Sequence, residues 1–203
     1  LLQGDVIEQA SFLKGMQIPT AINSDFLFAR PLDDAQGYTW TLTSRLGSIL
    51  KIAEQRFGSR DASYTLLGFE FGGDVPQIWY PGNSRHVIIQ ITPECANDIV
   101  RACYQLSHEC IHLLAPSGGR GLATHFSHWY LWETFKINYP CTIASYQVAR
   151  DAVEELLAID TNVVRLLRER QPAFYLLTPA DIVAVTPNVR TGLAEFLCKH
   201  FNR

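Results

Sequence analysis

No Cys-x-x-Cys pair occurs among the five cysteines, Cys95, Cys103, Cys110, Cys141 and Cys198. That excludes the common cysteine-built zinc sites, and the odd count argues against a disulfide framework. A reducing, cytoplasmic setting is the expectation. No apolar run approaches the ~20 residues of a membrane span, so no membrane partner is expected. Basic charge is not in excess either. The chain carries 17 Lys and Arg against 20 Asp and Glu, a formal charge of −3, which gives no footprint for nucleic acid. The opening Leu-Leu-Gln-Gly-Asp has no initiator Met and no basic leader, so it is expected to be a trimmed start that says nothing about secretion. What is present is a chain of 203 residues, 47% hydrophobic and 18% charged. That length and balance suffice to bury a substantial core, and residues 1–203 read as a single domain without repeats.

Hydrophobic periodicity divides the chain into a strand-rich stretch, about 60–92, and a helical one, about 95–203. A weak helical pattern spans 5–17, and 23–37 reads as loop. A helix is expected at 41–57, where Leu46, Ile49, Leu50, Ala53 and Phe57 share one side before Gly58. Strands are expected at 64–71, 77–80 and 86–92, the last rich in β-branched residues. Further helices are expected at 121–136, 143–170 and 189–201. Strands first and helices later indicate an α+β fold.

Between the last strand and the first of these helices stands His108-Glu109-Cys-Ile-His112. Ile99, Val100, Cys103, Leu106, Cys110, Ile111 and Leu114 run through it at helical spacing. On a helix, positions i and i+4 lie one above the other, so His108 and His112 can aim two imidazoles at one metal ion. Glu109 sits beside that face, in reach of a water activated by the metal, as a general base. The flanking thiols of Cys103 and Cys110 fall on the apolar side, where small buried cysteines are common.

A strand followed by a His-Glu-x-x-His helix and then a second helix resembles the zincin metallopeptidases. The segment Gly121-Leu-Ala-Thr-His-Phe-Ser127 is similar to the Glu-Gly-Leu-Ala-x-x-Phe segment of the gluzincin branch. The resemblance implies a small mixed or antiparallel sheet packed on the active-site helix. It implies Zn²⁺ as cofactor and a peptide or protein as substrate, and it lets the strand before the motif border the cleft as an edge. It also implies a third zinc ligand, a Glu immediately before Gly121. This chain has Arg120 there, and a guanidinium cannot ligate zinc. Because Gly118-Gly119 leads straight into an intact helix start, the expectation is that a loop carrying the Glu belongs between Arg120 and Gly121. The chain would then be broken at that point. An unbroken chain with Arg120 in the cleft favours the alternative instead.

Within the sequence itself, other third ligands compete. His125 and His128 share a helix face, and Glu154 or Glu155 can face the cleft, whereas Glu133 lies two turns too far along. His86 opens the expected edge strand and is a candidate for substrate contact, while His200 reads as surface. Tyr146 and Arg150, four apart, are candidate donors to a developing oxyanion. Trp79, Trp129 and Trp132 read as core or cleft wall. The functional expectation is a zinc-dependent peptidase or amidase, with His108 and His112 as ligands and Glu109 as base. The alternative is a degenerate zincin that binds a peptide or protein without cleaving it.

Overall fold

A computed structural model describes residues 32–34, 37–39, 42–81, 85–114 and 119–199. The helix expected at 5–17 and His200 lie outside these residues. The first described elements are two short strands, β1 (Leu32–Asp34) and β2 (Gly37–Thr39), paired antiparallel. They fall at the end of a stretch read from sequence as loop, since three-residue strands are too short to show a period of two.

Helix α1 (Leu42–Phe57) buries Leu46, Ile49, Leu50, Ala53 and Phe57, the stripe its periodicity indicates. It leads into a three-stranded mixed sheet of β3 (Thr65–Phe71), β4 (Gln77–Trp79) and β5 (His86–Ile91). The order is β3-β5-β4, with β3 parallel and β4 antiparallel to β5. The strand before the motif is therefore the centre of the sheet, not its edge, and β4 takes the edge. Val87, Ile89 and Ile91 alternate into the core. On the other face Gln77 donates to Gln90 at 2.7 Å and Gln90 to Glu70 at 2.6 Å. Those three residues are register partners across the sheet, so a one-residue slip would break the ladder and turn the apolar face outward. The register shifts between Leu66 and Gly68, and Gly68 at φ 140° takes the backbone geometry that a bulge demands there.

A 3₁₀ turn (Pro93–Asn97) connects the sheet to α2 (Ile99–Leu114), the motif helix. Asp98 caps it, its carboxylate accepting the Arg101 amide at 2.9 Å. Then come α3 (Arg120–Phe135), α4 (Ala144–Ile159), α5 (Val163–Arg170), α6 (Pro179–Val185) and α7 (Thr191–Leu197), making seven α-helices among the described residues of an α+β fold. One cluster of buried side chains extends from Leu46 to Ala194 through helices and sheet alike. The single helix expected over 143–170 is two. Asp160 accepts the Asn162 amide at 2.8 Å, a local turn that competes with helical bonding. Helix α6 was not expected, yet its signal was in the sequence: Thr178 and Asp181 form a reciprocal capping box around Pro179.

Gly121 has a packing role. A Cβ built there would stand 2.5 Å from the Ala149 carbonyl oxygen and 3.0 Å from Val153 Cγ2. Helices α3 and α4 approach backbone to side-chain-free backbone at this point. Gly121→Ala is expected to force them apart and to destabilise by about 2–3 kcal/mol. A denaturation midpoint that does not move would show that the close approach is not needed.

Candidate metal centre in the interhelical cleft

Helix α2 is anchored at three points that fix the motif. At its start stands the Asp98 cap. In its middle Gln105 takes the Thr92 amide at 2.9 Å and donates to the Thr92 hydroxyl at 3.0 Å, tying the helix to the end of β5. At its end the Arg168 guanidinium, buried, donates to the Leu114 carbonyl at 2.7 Å. The same guanidinium reaches the carbonyls of Phe57, Gly58 and Ser59 at 2.6–2.7 Å. One residue of α5 thus closes the C-terminal ends of both α1 and α2, whose last carbonyls have no partner within the helix. Sequence reading missed Arg168, because nothing local marks an arginine as buried.

Between these anchors α2 presents His108, Glu109 and His112. One potential ligand atom from each lies within 4.8 Å of the others. The imidazole rings are 5.1 Å apart and inclined at 61°. That proximity lets both imidazoles face one ion. Burial is the main cause of a His108 pKa lowered to about 3, with the charges of His112, Arg120 and His128 adding to it. A neutral imidazole keeps its lone pair for a ligand bond. Glu109 is 4% exposed. The donor set, two imidazoles and a carboxylate, fits a divalent metal, and this group can hold one. No other His, Cys, Asp or Glu among the described residues joins it.

The group lines a cleft of about 1420 Å³. Its walls come from the β4 edge (Gln77, Ile78), the motif face of α2, the start of α3 and the inner face of α4, and it runs on to Val164 and Leu167 of α5, Phe174 and the end of α7. Tyr146 of α4 stands on this wall and stacks on His108, 6.2 Å between centroids and 13° between planes. Tyr104, one turn before His108, stacks on Tyr139 at 4.6 Å. It sits at i−4 from His108, so helical spacing alone was enough to place it on the metal-facing side.

Helix α3 is unbroken at its start. The Ala123 amide donates to Gly119 at 2.8 Å, and the Thr124 hydroxyl to the Arg120 carbonyl at 2.9 Å. Arg120 opens the helix directly before Gly121 and lines the cleft. The close approach of α4 accounts for the glycine at 121.

The remaining candidates are drawn elsewhere. His125 contacts Glu154 at 3.2 Å, and Glu154 also receives Arg150 at 2.7 Å. None of these three lines the cleft, so neither Glu154 as ligand nor Arg150 as oxyanion donor is supported by position. His128 is buried edge-on against Tyr104, 5.4 Å between rings. Glu155 is clamped by Arg190 at 2.6 Å, and Glu133 pairs with Lys136 at 3.6 Å. His86, at the head of the central strand, lies away from the cleft wall, as its place in β5 dictates. Trp129 stacks on Phe126 beneath the Arg56 guanidinium, 4.0 Å from its ring. Trp79 and Trp132 are about half exposed and do not reach the cleft. Cys103 and Cys110 are buried, which pushes the Cys103 thiol up to about 11 and Cys110 well above its usual range. No helix among the described residues is long and apolar enough to cross a membrane. No protein-family model, curated protein or solved structure matches this chain.

Proposed function

We propose that this chain is a zinc-dependent hydrolase of the zincin type, acting on peptide or amide bonds. The observation that carries the reading is the convergence of His108, Glu109 and His112 in the wall of a cleft of about 1420 Å³. Zinc, when bound, supplies a Lewis acid that acidifies water and polarises a carbonyl. His108 and His112 would hold it. Glu109 accepts the proton of the attacking water and returns it to the leaving amine. Tyr146, whose ring stacks on His108 in the cleft, is the candidate donor to a developing oxyanion. The β4 edge beside the cleft suits an extended substrate, because its outer backbone groups are not paired within the three-stranded sheet.

A second reading has one observation in its favour. The unbroken start of α3 puts Arg120, not a carboxylate, on the cleft wall. With two imidazoles as its firm ligands, zinc is held weakly, and the chain then serves as a peptide-binding module without turnover. Against this stands Glu109, which a binding module has no reason to keep between the two histidines.

Metal analysis separates these readings from a site that binds nothing. Purified protein is expected to take up about one Zn²⁺ per chain, and the His108→Ala/His112→Ala variant none. Because so few protein ligands contribute, a mild chelator should strip the metal. Equal zinc in the two proteins would overturn the metal site. Uptake without cleavage of any member of a broad peptide library would favour the binding module.

A further inference from the structure

The cleft is cationic in an acidic chain. Whereas the whole sequence is formally −3, the charged side chains among the described residues lining the cleft are Arg101, Arg120 and Lys199 against Glu109 alone. Glu109 is buried and shows little of its charge to the opening. We infer that the cleft selects anionic peptides, seating one carboxylate on Arg120 beside the His108–His112 pair and a second on Arg101 further along the motif helix. The inference rests on reading the cleft as a peptide site, in either form proposed above.

Geometry sets the spacing. Arg101, Gln105, His108 and His112 follow one another at intervals of four, three and four residues, which keeps them on one face of α2. Seven residues separate Arg101 from His108, or roughly 10 Å along the axis at 1.5 Å per residue. An extended peptide covers that in about three residues at ~3.3 Å each. Arg120 enters from the first turn of α3 and lines the same cleft as His108 and His112. An acidic residue next to the bound bond, followed by another about three positions away, therefore meets a cation at each end. Low-dielectric walls concentrate such a field. The wall between is aromatic, with Tyr104 and Tyr139 stacked there, so apolar residues suit the positions between the two acids. The carboxylate at Arg120 can come from a Glu or Asp side chain or from a peptide C-terminus, since a guanidinium N–H donates to either.

Fluorescence anisotropy on chelator-treated, metal-free protein tests this without turnover. Labelled peptides are compared in pairs that differ by Glu→Gln at one position, or by a C-terminal acid against its amide. The acidic member is expected to bind about ten-fold tighter at low ionic strength, with the gap closing near 0.5 M salt as screening shortens the field. The Glu→Gln pair and the amide pair report which source of carboxylate is used. Arg120→Gln should abolish the preference at the position nearest the histidines. Arg101→Gln, at an exposed position, should abolish only the distal one. Equal affinities within every pair, no binding of any peptide, or a preference that survives both substitutions would overturn the inference. Those outcomes leave the zinc and cleavage measurements to stand or fall separately.

Discussion

Glu109→Gln is expected to keep the metal and lose nearly all turnover, a fall of ~10²–10⁴ in kcat, which is the usual contribution of a general base. The amide is almost the same size as the carboxylate, so the motif helix and its two imidazoles keep their places. What it lacks is a site that can take up the proton of the attacking water. Because that proton moves only as the reaction proceeds, KM should change little while kcat and kcat/KM fall together. The loss amounts to roughly 2.7–5.5 kcal/mol of transition-state stabilisation at 1.36 kcal/mol per decade. Single-turnover kinetics with zinc content measured on the same samples checks it. An unchanged rate on a peptide that the wild type cleaves would mean that Glu109 is not the base. Loss of zinc along with rate would mean that Glu109 is instead the third ligand, the one further donor within reach of the two histidines among the described residues.

Arg168→Leu is expected to destabilise the fold by about 3–5 kcal/mol, because four carbonyl groups at the ends of α1 and α2 lose a charged donor at once. Leucine refills much of the volume but offers no N–H. The carbonyls of Phe57 and Leu114 then stay buried without a partner or open a path for water into the packed layer between the two helices. Arg168→Lys should recover only part of the loss, since an ammonium is a point donor and cannot span carbonyls from two helices as the planar fork does. Urea denaturation reads the effect as a shift in midpoint at similar slope. Since Leu114 lies two residues beyond His112, metal affinity should fall in parallel, through the motif helix rather than through any contact with the ion. A variant as stable as the wild type would show that water satisfies these carbonyls equally well.

The motif helix was legible in the sequence because a single element carries it. Spacing of four between His108 and His112, the apolar stripe from Ile99 to Leu114 and the Asp98 cap are all local, and a helix turns such spacing directly into shared position. The same holds for α1 and for the alternation that buries Val87, Ile89 and Ile91, whereas the equally local capping box that starts α6 did not lead to that helix being expected. Strand order was not legible, because pairing joins residues far apart. Nothing in 77–79 or 86–91 says which strand is central, so β5 was read as the edge and His86 as a substrate contact. His125, Glu154 and Arg150 carry the residue types of a catalytic site, yet their ion pairs turn them toward one another and away from the cleft.

The sequence by itself determined α1, the motif helix, the α+β order and the three side chains that can hold a metal, since each follows from periodicity within one segment. Only the tertiary structure decided that β4 lines the cleft, that Arg168 closes two helices and that Gly121 serves the contact with α4. It also decided that Arg101, Arg120 and Lys199 line one cleft. Those outcomes depend on contacts between segments distant along the chain. There burial and shape, not local pattern, determine which neighbours a side chain finds.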